Sequence, residues 1–276
     1  MYETFIIGTG NLSTYLRNNL NSSKIYSAKI FLKNIKLINK RKKKFNLIIN
    51  SFYTSTKLNE IKLYKLYIKK TNYEISEILD KINYGVINKI IYTSSSSVYG
   101  LIKKINFLNI NNDREIYAAF KISTESLLKN YCSKKKIPLI ICRIFNLYGG
   151  NDKFSILQKI KKIKKNKQIL EINNNGLSVR DFIHIHDVTK IYSHILANVS
   201  VSNLFDIGTG KGVTIAEIFK KLNLDNKYFI FKKKQINEIK CSIADNKNLL
   251  KNFPKIKFKT IEDYLKIKVK LKYKII

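Results

Sequence analysis

Apolar residues along the chain fall into short continuous runs that alternate with sets spaced as one face of a helix. Tyr2 to Ile7 is such a run; it meets Gly8-Thr9-Gly10, and apolar residues then recur at positions 12, 16 and 20. That pattern predicts a strand, a tight turn and a helix. Phe45 to Asn50 (FNLIIN) and Lys89 to Thr93 (KIIYT) predict buried strands, with a helical stretch from Ile61 to Ile82 between them. Glu115 to Tyr131 predicts a helix and Pro138 to Ile144 (PLIICRI) a further strand. Strands joined through helices require crossover connections, so the expected class is α/β with a parallel sheet. Beyond Asn146 the pattern loosens into a helix over Phe154 to Lys165, a short strand near Ile169 to Ile172, a helix after Asp187 and a strand over Asn203 to Ile207. No repeat and no Ser/Gly/Pro-rich linker marks a boundary, so a second lobe is expected to interleave with the first. At the C-terminus, apolar residues and lysines alternate from Leu265 to Ile275, which suits an edge strand, with a disordered tail and a basic membrane contact as competing readings.

Composition changes this picture in two ways. Within 276 residues, 45% hydrophobic and 12% aromatic content supplies a packed core and excludes a largely disordered chain. The 53 basic residues against 19 acidic ones give a net charge of +34, which makes nucleic acid or an anionic membrane surface a candidate partner. Adenine- and thymine-rich codons specify Lys, Asn, Ile, Tyr and Phe, so genome composition is the competing source of the lysines. Cys132, Cys142 and Cys241 are odd in number and widely spaced, which fits a reducing cytoplasm rather than a disulfide framework or zinc ribbon. No run approaches the length of a membrane span.

Gly8-x-Gly10-x-x-Ser13 between a strand and a helix allows backbone to approach a dinucleotide pyrophosphate at a helix N-terminus, although an ordinary turn gives the same pattern. No Asp or Glu lies between Glu3 and Glu60, so the usual carboxylate for a ribose 2′-hydroxyl is missing; Ser27 and Lys24, Lys29 and Lys33 suit a 2′-phosphate better. Tyr117-Ala118-Ala119-Phe120-Lys121 puts a phenol and an ammonium on one helix face, where the cation, with an oxidised nicotinamide ring, is expected to lower the phenol's pKa towards the range of a general base. Upstream, IIYTSSSSVYG over Ile90 to Gly100 ends a strand in hydroxyls, either a substrate-holding cluster or a polar loop.

Five ordered segments carry a resemblance: YTSSSSVYG at 92–100, YAAFKISTE at 117–125, RIFNLYGG at 143–150, GLSVRDFIHIHDV at 176–188 and FDIGTGKG at 205–212. Together they resemble the NAD(P)-dependent sugar-nucleotide epimerase/dehydratase family of extended short-chain dehydrogenases/reductases. The resemblance implies a Rossmann-type doubly wound parallel sheet over residues 1–147, with 177–210 contributing, and a smaller C-terminal substrate-binding lobe from 148–176 and 211–276. It implies an acid/base Tyr117, with Lys121 as its partner on the cofactor ribose, and Ser95 holding the reacting hydroxyl or carbonyl. It also implies a cofactor turn over Gly8, Gly10, Asn11 and Leu12, and substrate-diphosphate contacts from Asn146 and Arg180. For Arg180 the competing reading is a salt bridge to Asp181.

The chain departs from the family at three points. Two glycines of the family turn are replaced, at Ile7 and Ser13, and Ser96-Ser97 stand where the family's dehydratases carry Asp-Glu. His184 and His186 alternate beside Asp187; packing, and not metal binding, is the expectation there. The expected function is thus redox chemistry on a nucleoside diphosphate sugar with NADP or NAD, NADP favoured, leaning to 4-epimerisation, with reduction next and dehydration disfavoured. The competing class is a non-catalytic Rossmann protein that binds nucleotide or nucleic acid through its basic surface. A homodimer is compatible with the resemblance, and the expected location is cytoplasmic.

Overall fold

A computed structural model describes residues 2–50, 66, 68–102, 113–152, 155–166, 169–223, 226–233 and 239–265. The alternating strand reading beyond Leu265, and positions 61–65 and 67 of the expected helical stretch, lie outside these residues. Four apolar runs become largely buried strands, β1 (Glu3–Ile7), β3 (Phe45–Ile49), β4 (Ile87–Ser95) and β5 (Leu139–Ile144), and the partly exposed β2 (Ser23–Tyr26) flanks β1. With β9 (Asn203–Ile207) they form a six-stranded sheet in the order β2-β1-β3-β4-β5-β9, and β2, β1, β3, β4 and β5 are parallel in sequence. The reversal of strand order beside β1 is the doubly wound arrangement. Helix α1 (Asn11–Asn19) follows β1, and a long helix, Asp113–Lys135, precedes β5.

The chain divides into two compact units, Met1–Ile144 with Ile191–Phe205, and Phe145–Lys190 with Asp206–Ile276. The segment that returns to the first unit is thus shorter than the expected 177–210. The reason is pairing: β8 (Val179–His184) is bonded to β6 (Asn146–Tyr148), β10 (Gly212–Thr214) and β12 (Cys241–Ser242), all of the second unit. A second small sheet there pairs β7 (Leu170–Ile172) with β11 (Phe229–Phe231), and Leu157, Ile160, Phe182, Ile218 and Phe219 pack in that unit's core.

In the first unit Phe5, Phe31, Phe45, Leu47, Ile90 and Ile141 form a dry core on one side of the sheet. Lys89 is buried in β4, and its ammonium donates to the Ile195, Leu196 and Val199 carbonyls. A lysine inside an apolar strand thus caps the end of helix Ile185–Asn198. Cys132 and Cys142 are buried, and burial raises both thiols from the ordinary 9.0 to about 12. Such a thiol keeps its proton when the unfolded chain has lost its own. Its contribution to stability is therefore complete below pH 9.0 and lost as pH rises towards about 12. Buried Lys89 and Lys121 act in the opposite sense below their ordinary 10.5. Urea midpoints taken across this range should fall with pH, and Cys142→Ala should flatten the fall.

Candidate active site

The turn after β1 is built as a phosphate-approaching turn requires. Gly8 has φ of 119°, a conformation open to glycine and rarely to other residues, and its N–H donates to the Tyr26 carbonyl at 2.8 Å. A Cβ placed on Gly10 would meet no heavy atom within 4 Å, and Gly10 is the N-cap of α1 without a side-chain cap. Open space over a helix start whose first N–H groups carry positive dipole fits a dinucleotide pyrophosphate. Asn11 is half-buried there, whereas the Leu12 side chain is buried, so only its backbone faces this role. Ser13 is fully buried and accepts from Asn50 Nδ2 at 2.6 Å, so the replaced glycine is accommodated by a partner at the end of β3. At the end of β2, Ser27 Oγ caps the next helix by accepting from Ile30 N, and Lys24 is committed to Glu3 at 2.8 Å. Of the basic residues expected there, Lys29 remains nearest to the strand end, as an exposed side chain.

Ser95 ends β4, and Tyr117 and Lys121 lie one turn apart on the long helix. The structure brings these three together. Tyr117 is hydrogen-bonded to Ser95, and Ser95 Oγ donates to Ser97 Oγ at 3.1 Å and accepts from Ser97 N at 3.2 Å. Lys121 is buried, donates to the Thr93 carbonyl at 2.7 Å, and places its ammonium 5.9 Å from the Tyr117 ring centre and 4.9 Å from that of Tyr92. Burial pushes the Tyr117 phenol above its ordinary value, opposed by Ser95. Burial also holds Lys121 well below its ordinary 10.5, opposed by Glu125. In the protein alone desolvation thus sets the direction of the phenol's shift, upward; the lowering expected of Lys121 together with an oxidised nicotinamide ring belongs to the cofactor-bound state.

Sequence reasoning missed the support beneath this cluster. Glu125, one further turn along the helix, accepts from Arg143 Nε at 3.1 Å and Nη2 at 2.7 Å, and from Ser94 Oγ at 2.6 Å. All three residues are buried, and the Arg143 guanidinium carbon lies 4.8 Å from the Tyr99 ring centre. One carboxylate thus joins the helix to β4 and β5 directly beside Ser95.

In the second unit, Asn146 on β6 donates through Nδ2 to the Asp181 carbonyl at 2.9 Å, next to half-buried Arg180 on β8. The Asp181 carboxylate that adjacency offered to Arg180 is instead engaged by Thr209 N and Oγ1, Gly210 N and Ala244 N, at 2.6–3.2 Å. Neighbours along a strand point to opposite faces, which separates the two side chains. Arg180 Nη1 donates to the Val179 carbonyl at 2.9 Å. His184 and His186 do not alternate along a strand: His184 ends β8, His186 lies in the following helix, and His184 Nδ1 accepts from His186 N.

The sequence profile of the NAD dependent epimerase/dehydratase family matches residues 19–208. Among curated proteins, the chain is 27% identical over 150 residues to a dTDP-D-glucose 4,6-dehydratase of Dictyostelium discoideum, covering 49% of this chain and 35% of that protein. It is 30% identical over 171 residues to an ADP-L-glycero-D-manno-heptose-6-epimerase of Brachyspira hyodysenteriae, covering 56% of this chain and 52% of that protein. The matched stretch therefore spans about a third to a half of these relatives. Its fold is similar to the solved structures of a UDP-N-acetylglucosamine 4-epimerase from Methanobrevibacter ruminantium (TM-score 0.72, 19% identity, 95% of each chain) and of TunA, an NAD-dependent NDP-hexosamine 5,6-dehydratase (TM-score 0.77, 17% identity, 95% and 94%).

Proposed function

Because the chain belongs to the NAD dependent epimerase/dehydratase family, we propose that it acts on a nucleoside diphosphate sugar by reversible oxidation of a sugar hydroxyl, as a 4-epimerase or, next, as a reductase. The observation that carries this reading is the Tyr117–Ser95 hydrogen bond, with Lys121 on the same helix face. A nicotinamide dinucleotide bound over the Gly8–Gly10 turn supplies the hydride acceptor and donor. Tyr117 takes the proton from the sugar hydroxyl as the carbonyl forms and returns it when the hydroxyl is rebuilt. Ser95 holds the sugar oxygen in line with the phenol. The Lys121 ammonium stabilises the phenolate while it exists, and its buried site strengthens that attraction. Asn146 and Arg180 bind the diphosphate, the guanidinium through paired hydrogen bonds to phosphate oxygens.

Epimerisation is favoured over dehydration because Ser96 and Ser97 offer no carboxyl group to remove a second proton or protonate a leaving hydroxyl. The dehydratases among the relatives make this the point at which the reading is exposed to test. A non-catalytic role loses the support it drew from the altered glycine turn, since Ser13 is satisfied by Asn50 and Gly10 faces open space. The deciding experiment is a turnover screen of uridine, thymidine and adenosine diphosphate sugars with each dinucleotide. Epimer or reduced product is expected; a 4-keto-6-deoxy product would overturn the preference, and no turnover of any substrate would overturn the reading.

The dinucleotide is expected to be NADP rather than NAD. Lys29, two residues past Ser27, attracts a 2′-phosphate, and no carboxylate between Glu3 and Glu60 repels it. Dissociation constants for the two forms should differ in favour of NADP, and Lys29→Glu should reverse the order. Tighter NAD binding by the unaltered protein would mean that backbone groups at the end of β2 meet the ribose.

A further inference from the structure

The first unit is polarised along its strands. Because β1, β3, β4 and β5 are parallel, the segments entering them emerge at one edge of the sheet, and the Gly8 turn and Ser95 lie at the other. The entering segments carry Lys40-Arg41-Lys42-Lys43-Lys44 before β3, Lys81 before β4 and Lys134-Lys135-Lys136 before β5. They sit side by side: Asn39 donates to the Lys81 carbonyl and accepts from Asn83 N, and the Lys135 ammonium lies 4.7 Å from the Tyr84 ring centre. Glu3 engages Arg41 and Glu77 engages Lys81, and Asp80 is a further exposed acid nearby, but Lys40, Lys42, Lys43, Lys44, Lys134, Lys135 and Lys136 are all exposed. Among the described residues at the opposite edge, Gly8–Gly10, Ser27–Lys29, Asn50 and Ser95–Gly100 contain one basic residue, Lys29, and Lys121 and Arg143 there are buried.

The same edge exposes apolar side chains. Tyr2 before β1 is 49% exposed, Leu37 70%, Tyr84 50% and Val201 66%. Ser202, next to Val201, accepts from Leu139 N and so holds that loop at the start of β5. A cavity of about 620 Å³ opens here, lined by Cys132, Ile137, Leu139, Val201 and Leu204 together with Lys129 and Lys136. Nucleic-acid backbone draws on the charges and gains little from exposed Leu and Val. A membrane interface uses both, seating aromatic and aliphatic groups at headgroup depth while lysines meet anionic lipid. We propose that this edge of the first unit docks on an anionic phospholipid surface.

The test is co-sedimentation of the full chain with phosphatidylcholine vesicles, with and without phosphatidylglycerol. Binding is expected only with the anionic lipid. Joint replacement Lys42→Glu, Lys43→Glu, Lys44→Glu and Lys135→Glu should weaken it by at least about tenfold, whereas Lys190→Glu, Lys220→Glu, Lys251→Glu and Lys255→Glu together, an equal change of charge on exposed lysines of the second unit, should leave most of it. Leu37→Ser with Val201→Ser, which alters no charge, should also weaken vesicle binding. Melting temperatures and sugar-nucleotide turnover are followed for every variant, so a loss of fold or of catalysis is read separately. Equal losses from the two charge variants would overturn the proposal in favour of diffuse attraction. Tighter binding to single-stranded RNA, insensitive to Leu37 and Val201, would overturn it in favour of nucleic acid.

Discussion

Tyr117→Phe should leave the fold intact and reduce sugar-nucleotide turnover by about 100- to 10,000-fold, the span that a positioned acid/base group contributes. The change removes one oxygen, the atom hydrogen-bonded to Ser95, and keeps the ring whose centre lies 5.9 Å from the Lys121 ammonium. A Phe variant with unaltered rate and unaltered melting temperature would exclude Tyr117 as the proton-transferring group. Lys121→Ala should lose cofactor affinity as well as rate, because its ammonium serves both. Lys135→Ala, at the exposed end of the same helix, should lose neither.

The second large effect is expected at Glu125. Its carboxylate and the Arg143 guanidinium are both buried, and deleting one member of such a pair strands the other charge in apolar surroundings. Glu125→Ala should therefore cost about 3–5 kcal/mol of stability, read as a lowered urea midpoint. Glu125→Gln separates positioning from folding. It keeps the shape and part of the hydrogen bonding but removes the negative charge that holds Lys121 protonated against burial. The Lys121 ammonium should then be lost at lower pH, so the alkaline limb of the rate profile should move downward. A profile unchanged in position, with only stability altered, would leave Glu125 with a purely structural role.

The sheet strands were legible because each is a compact apolar run with polar turns at its ends, and the order strand-helix-strand leaves few alternatives to a parallel sheet. The cluster of Ser95, Tyr117 and Lys121 was legible because two of its members share a helix face and the third ends a strand. Glu125 continues the same four-residue series, 117, 121, 125, and that extension was the available signal. Arg143 gave another, a charge at the end of the apolar run PLIICRI, as did Lys89 in KIIYT. Their partners were not legible, since Arg143 and Glu125 are 18 residues apart and Lys89 reaches a carbonyl 110 residues away. Asp181 illustrates the reverse error: sequence adjacency suggested a pair with Arg180, but strand alternation sends its carboxylate to Thr209, Gly210 and Ala244.

Positions 13 and 50 form one buried polar pair. Ser13 supplies the oxygen that satisfies the buried amide of Asn50. Ser13→Gly alone leaves that amide without its acceptor, and replacement of Asn50 by an apolar residue alone strands the serine hydroxyl. The two positions are therefore energetically coupled, and Ser13→Gly combined with Asn50→Ala should cost less stability than the sum of the two single changes.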